Sequence, residues 1–221
     1  FRRLRITSLA TDFFLNAAPS ADEIARLFEI SKRLKSPLLS IHAPRTDAAT
    51  PEENPDQDND GEGIVLPPVD YLMAMRAFVA AALRENCQVM LRIHPDSHAA
   101  TAPEALALIK AIGFDSKCVG LDWDVALCFG AGDDSGLDSL EDVLPVLKTV
   151  RVRDAVRKGV EAECVSMGKG VIPWEDIIEQ LYEAGYRGPV TLEPGALPKL
   201  KEARAALTYV ARWIDGCRTR R

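Results

Sequence analysis

Acidic and histidine side chains recur at the ends of short apolar segments along this chain of 221 residues. The five that stand out are His42, His94, Asp124, Asp154 and Glu193. A carboxylate in such a position can act as a general acid or base or bind a divalent cation, and a neutral imidazole can do either. Any one of them could merely mark where solvent begins. Their repetition instead favours a shared site.

The segments that carry these residues alternate with segments of helical periodicity. Strands are predicted in RLRITSLAT, LLSIHA, VMLRIH, VGLDWD, VRVRD and PVTLEP. The helices between them begin at capping residues such as Ser20 or at prolines such as Pro103 and Pro173. Six strand–helix units predict an α/β fold with a parallel sheet. Functional residues at the carboxyl ends of strands, with no glycine-rich nucleotide loop, favour a (β/α)8 TIM barrel over a doubly wound sheet.

Composition excludes several classes of protein. The chain is 47% hydrophobic and 27% charged, which predicts one globular domain over residues 1–221. No apolar run approaches the ~20 residues needed to span a bilayer, so we expect no membrane partner. A net charge of -6 argues against nucleic acid as a partner. Five scattered cysteines without a CxxC pair predict neither disulfides nor a zinc ribbon, and the expected compartment is the cytoplasm.

One segment, residues 45–68, interrupts the alternation. It is rich in Pro, Asp, Asn and Gly and has no periodicity. It follows a predicted strand, so on a barrel it would lie at the mouth. We predict a long flexible loop, and a substrate-covering lid is the alternative.

Four stretches in order resemble the xylose isomerase-like TIM barrels, the superfamily of sugar isomerases and epimerases that also contains endonuclease IV. They are VMLRIHPDS, VGLDWDVALCFGAG, TVRVRDA and MGKGVIPWEDIIEQLYEAGYRGPVTLEP. The resemblance implies a TIM barrel in which the six units here are strands three to eight. It leaves open whether the chain is a trimmed product, an incomplete sequence or one whose open edges another chain covers.

The resemblance also implies a divalent metal such as Mn, Mg, Co or Zn, bound by Glu, Asp, His and Glu from strands five to eight. In this sequence those positions fall on Arg92, Asp124, Arg151 and Glu193. A guanidinium has no lone pair to give to a cation and stays protonated. We therefore predict no metal cofactor, and we expect Arg92 and Arg151 to replace the ion by salt bridges to Asp124 and Glu193.

Two functions remain open at this point. The first is metal-free binding of a carbohydrate-like or anionic small molecule, such as an anionic sugar or carboxylate. Its candidate binding residues are Arg92, Arg151, Arg153, His42, Asp154 and Lys169. The second is an active isomerase or epimerase in which Glu193, His94 or Asp124 provides acid–base catalysis. Endonuclease IV-like DNA repair is remote because ligands are missing and the chain is acidic. The resemblance also makes a homo-oligomer an expectation.

Overall fold

A computed structural model describes residues 5–16, 19–46, 64–132, 136–158, 161–193 and 199–219. By its internal contacts the chain divides into two compact units, residues 1–121 and 122–221. The predicted loop of residues 45–68 falls for the most part outside the described residues. Of this segment, Arg45 forms an isolated bridge with Ser97.

The first unit is built from alternating strands and helices. Its elements are β1 (Ser8–Phe14), α1 (Ala21–Leu34), β2 (Leu38–His42), α2 (Val69–Arg84), β3 (Gln88–Arg92) and α3 (Ala102–Ile112). The strands β1, β2 and β3 are parallel neighbours in that order, and β2 pairs with β3 from Leu38 opposite Gln88 to His42 opposite Arg92. Strand β4 (Val119–Asp124) follows β3 and lies across the boundary between the units.

Strand β1 begins later than the predicted strand in RLRITSLAT. It pairs with β2 from Ser8 opposite Leu38 and reaches Phe14 opposite His42, with an irregularity between Ala10 and Phe14. The polar Thr11 lies inside the strand because its hydroxyl donates to the Ser40 carbonyl at 3.1 Å. A polar side chain that bonds to the neighbouring strand does not end a strand, which explains why β1 continues to Phe14.

Local capping explains where α1 and α3 begin and where α3 ends. Ser20 and Glu23 form a capping box at the start of α1, as Thr101 and Glu104 do at the start of α3. Helix α3 ends at Gly113, whose φ of 79° lies in the left-handed region that glycine adopts without strain.

The second unit follows from the end of β4. Its elements are α4 (Val125–Gly130), α5 (Leu140–Val143), a 3-10 turn (Leu144–Val146), β5 (Leu147–Val152), β6 (Asp154–Lys158), β7 (Glu161–Val165), α6 (Trp174–Glu183), β8 (Val190–Leu192) and α7 (Lys199–Thr219). Strand β5 follows β4 in the sheet, and β8 pairs with β5 in parallel. Strands β6 and β7 form an antiparallel hairpin that the sequence did not predict.

Six parallel strands with following helices confirm the predicted α/β fold and its six βα units. The core of the first unit includes Met75, Phe78 and Leu91, and that of the second includes Trp174 and Ile177. None of the described helices is long and apolar enough to cross a membrane.

Candidate functional site

Two aspartates and two arginines alternate along neighbouring strands of the second unit. Asp122 and Asp124 lie two residues apart in β4, and Arg151 in β5 lies two residues before Arg153, which directly follows that strand. Because side chains two residues apart in a strand point to the same face, both aspartates face both arginines. Together with Glu193, these residues form what we call the arginine–carboxylate cluster.

Arg151 and Asp122 form a buried, two-point ion pair. The Nε of Arg151 donates to Oδ1 of Asp122 at 2.8 Å, and its Nη2 donates to Oδ2 at 2.7 Å. The Asp122 side chain is 0% exposed and that of Arg151 is 6% exposed. Burial alone lowers the pKa of Arg151, but the hydrogen bonds and charge of Asp122 outweigh it and raise that pKa overall. The guanidinium is therefore permanently charged and fixed in orientation.

Arg153 and Asp124 form the second pair. The Nε of Arg153 donates to Oδ1 and Oδ2 of Asp124 at 3.1 and 3.0 Å, and its Nη2 also donates to Oδ2. The indole of Trp174 donates to the Arg153 carbonyl at 2.9 Å, which holds this stretch of backbone. Asp124 also caps α4 by accepting from the Leu127 amide at 3.2 Å. Complete burial raises the pKa of Asp124 despite the opposing charge of Arg153.

Glu193 joins the two pairs. Its Oε1 accepts from Nη1 of Arg151, and its Oε2 lies 3.1 Å from Nη2 of Arg153. The residue directly follows β8, where its amide donates to the Val152 carbonyl at 3.0 Å. The Glu193 side chain is 26% exposed, whereas both aspartates are 0% exposed. The cluster thus holds three carboxylates around two guanidiniums, with Glu193 on its accessible side.

These contacts agree only in part with the predicted salt bridges. Arg151 pairs with Glu193 as expected, but the partner of Asp124 is Arg153. Sequence reasoning did not select Asp122, although its spacing from Asp124 matches that of the two arginines. Arg92 lies at the end of β3 in the first unit, opposite His42 in the register of β2 and β3.

The oxygens expected to bind a metal are engaged by cations of the chain itself. Both oxygens of Asp124 accept from Arg153, and Glu193 divides its oxygens between the two arginines. Across the described residues, no group of three or more His, Cys, Asp or Glu side chains is arranged to hold a metal ion.

Asp154, a candidate binding residue, holds a turn. Its Oδ2 accepts from the amides of Gly168 and Gly170, both at 2.9 Å, and its Oδ1 accepts from the Ala155 amide at 3.1 Å. The side chain is buried. The exposed Lys169 lies between the two glycines of that turn. Asp154 therefore positions the loop that presents Lys169.

The two candidate histidines lie together in the first unit. Phe14 stacks on His42 with ring centroids 4.4 Å apart, and His94 meets His42 edge-on at 4.9 Å. The guanidinium of Arg45 covers the Phe14 ring at 4.4 Å. The Nδ1 of His94 accepts from the Asp96 amide at 3.2 Å, so the neutral ring carries its proton on Nε2. Desolvation lowers the pKa of His94, which favours that neutral form.

Comparisons with known proteins place this chain in a family. The family model of the xylose isomerase-like TIM barrel matches residues 3–214. A xylose isomerase-like TIM barrel protein from Mycobacterium smegmatis, solved in complex with magnesium, is similar with a TM-score of 0.71 and 17% identity, over 97% of this chain and 74% of that one. The probable 3-DHS dehydratase AsbF from Bacillus anthracis, involved in petrobactin synthesis, has a TM-score of 0.72 and 14% identity, over 94% and 76%.

A third similar structure is the 3-keto-D-glucoside 4-epimerase YcjR from E. coli, in its apo form. Its TM-score is 0.66 and its identity 17%, over 95% of this chain and 80% of that one. A comparison with curated proteins gave no match. At such low identities these structures show a shared fold. The family match, which spans nearly the whole sequence, shows that the chain belongs to the xylose isomerase-like TIM barrel family.

Proposed function

We propose that the arginine–carboxylate cluster binds an anionic sugar or another small carboxylate, and that binding requires no divalent metal. The observation that carries this proposal is the convergence of Arg151 and Arg153 on one carboxylate, that of Glu193. Each guanidinium is held from behind by a fully buried aspartate, so its orientation is set before a ligand arrives. Preoriented guanidiniums are the usual donors for planar anions.

The donor set argues against the divalent ion that the family resemblance implies. Arg151 occupies the position of the family histidine, and a guanidinium cannot coordinate a cation. A divalent ion beside Asp124 would also have to displace Arg153 from a fully buried carboxylate. The two arginines already supply the positive charge that the ion would bring, so we derive no chemical step through a metal.

Calorimetric titration with D-gluconate tests the proposal, with the uncharged polyol D-glucitol as the matched control ligand. We expect gluconate to bind in the presence of EDTA and glucitol not to bind. Arg153→Lys keeps the charge but loses the two-point geometry, so its affinity for gluconate should fall about tenfold, equivalent to about 1.4 kcal/mol. Binding of neither ligand, or of both equally, would contradict an anion site.

The alternative is an active isomerase or epimerase. The observation in its favour is His94, whose neutral ring offers Nε2–H as an acid while its Nδ1 is anchored by the Asp96 amide. Similarity to an epimerase fold agrees with this alternative at the level of fold alone. Incorporation of deuterium from D2O into ketose sugars, followed by NMR, distinguishes catalysis from binding alone. Exchange that is lost in His94→Gln would favour catalysis over binding alone.

A further inference from the structure

We propose that Glu193 stands in for the ligand, so that a 2-hydroxycarboxylate binds by displacing the Glu193 side chain from Arg151 and Arg153. This inference rests on the proposed function and names its substrate class. The ligand carboxylate would receive the two guanidinium contacts that Glu193 now receives. The hydroxyl on the adjacent carbon would lie beside Glu202.

The distribution of donors identifies Glu193 as the replaceable member of the cluster. Asp122 takes Nε and Nη2 of Arg151, which leaves Nη1 for Glu193. Asp122 and Asp124 are fully buried within the sheet, whereas the Glu193 side chain is about a quarter exposed at its edge. A carboxylate that arrives from solvent therefore meets Glu193 first.

Charge and shape match a carboxylate best. The five residues of the cluster contain three carboxylates and two guanidiniums, so Glu193 adds one negative charge to two aspartate–arginine pairs that are neutral together. A ligand monoanion that replaces it leaves the total charge of the cluster unchanged. A phosphate dianion would add a further negative charge beside a fully buried aspartate, which a low-dielectric site disfavours.

A small cavity beside Glu193 points to the adjacent hydroxyl. The cavity measures about 10 Å³ and is lined in part by Arg153, Glu193 and Glu202. The Oε2 atom of Glu202 is buried and has no hydrogen-bond partner among the described residues. A buried acceptor without a donor is costly. The space is about that of a single water molecule, so one hydroxyl donor would fill it once the Glu193 side chain has left.

The first test compares gluconate binding to three forms of the full chain by calorimetry. Glu193→Gln removes the competing charge, so we expect about tenfold tighter binding if Glu193 holds the arginines nine-tenths of the time. Glu163→Gln removes one exposed carboxylate, which pairs with the exposed Lys158 away from the cluster, and should bind gluconate as the wild type does. Inorganic phosphate should bind less well than gluconate to each form.

The outcomes separate this inference from the proposed function. If the wild type binds gluconate and Glu193→Gln binds it equally or more weakly, displacement is wrong and the anion site stands. If no form binds gluconate, the proposed function fails and the inference fails with it. A measurement on the wild type tests displacement even if the Glu193→Gln variant does not fold. The ¹³C signal of the Glu193 carboxylate should shift on addition of gluconate, and an unchanged signal at saturation overturns displacement.

A second ligand tests the hydroxyl. 2-Deoxy-D-gluconate retains the carboxylate but lacks the hydroxyl next to it. We expect it to bind the wild type about tenfold more weakly than gluconate, because Glu202 then stays without a donor. Equal affinities of the two ligands would exclude the hydroxycarboxylate class while leaving displacement by a simple carboxylate intact.

Discussion

At the scale of single residues, the buried ion pairs of the second unit set orientation more than they add stability. Removing Asp122 and Arg151 from water costs several kcal/mol per ion, and their attraction repays this only because two short hydrogen bonds join them. Such a pair is therefore an expensive way to stabilise a fold. It is an effective way to fix a guanidinium toward a ligand.

The dependence of Arg151 on its partner gives the first prediction. Asp122→Asn removes the fully buried counter-charge of Arg151 and leaves it only Glu193, which Arg153 shares, so the free energy of unfolding should fall by about 3–5 kcal/mol. The midpoint of urea unfolding, followed by tryptophan fluorescence, measures the change. Glu163→Gln breaks an exposed pair with Lys158 and should cost less than about 1 kcal/mol. Equal midpoints for the two variants would show that the buried pair contributes no more to stability than the exposed pair does.

The protonation of His94 gives the second prediction. Desolvation lowers its folded-state pKa below the usual 6.5, so the folded chain binds this proton less tightly than the unfolded chain does. The contribution of His94 to stability is thus present above pH 6.5 and is lost as pH falls through the folded-state pKa. NMR titration of the ring should give a pKa below 6.5, and His94→Gln should reduce the loss of stability on acidification. A ring that titrates above 6.5 would contradict this.

At the scale of elements, alternation within strands decides what the sequence can predict. The six parallel strands were predictable because short apolar segments alternate with helical ones, and the ends of β2 and β3 were placed within a residue or two. The sequence predicted that arginines pair with carboxylates at this site, but it did not predict which arginine pairs with which carboxylate. The details of this pairing depend on which side chains of neighbouring strands meet, such as Arg153 with Asp124, and no sequence pattern supplies that alignment.

The hairpin of β6 and β7 shows a second limit of the sequence. Its strands, DAVRK and EAECV, are only five residues long and contain three and two charged residues. Segments so short and so rich in charge do not stand out as strands in the sequence. Their structure instead depends on pairing with each other and on Asp154, whose carboxylate binds the backbone of the turn that follows.

That turn gives the third prediction. A methyl group on Gly170 would overlap the carboxylate of Asp154 and the Ala155 carbonyl. Gly170→Ala should therefore destabilise the chain by about 1–3 kcal/mol and speed hydrogen exchange at the amides of Gly168 and Gly170.

Gly185→Ala is the matched control for that variant. Gly185 has a φ of 76°, but nothing lies within 4 Å of the added methyl group. It should cost about 1 kcal/mol through backbone strain and leave exchange in the Asp154 turn unchanged. Faster exchange at Gly168 in both variants would mean that general destabilisation, and not the contact with Asp154, is responsible.

At the scale of the whole molecule, membership of the family predicts a metal, whereas the residues of the second unit predict its replacement. The family match covers residues 3–214 and the fold follows from it. The chemistry does not follow from the fold, and our proposal that no metal binds rests instead on Asp124 and Glu193 being paired with Arg151 and Arg153. The fold of this chain thus follows from its pattern of elements, whereas its chemistry depends on the contacts of individual residues.

The measurement that tests this central claim most directly is the metal content of the purified chain. The protein is incubated with excess Mn, Mg, Co or Zn, desalted and analysed by mass spectrometry. Arg151 and Arg153 supply the positive charge of the site, so we predict well below one ion per chain for each metal. Stoichiometric binding of any of them, lost when Asp124 and Glu193 are replaced by Asn and Gln, would show that the carboxylates leave the arginines for a cation and would contradict the account.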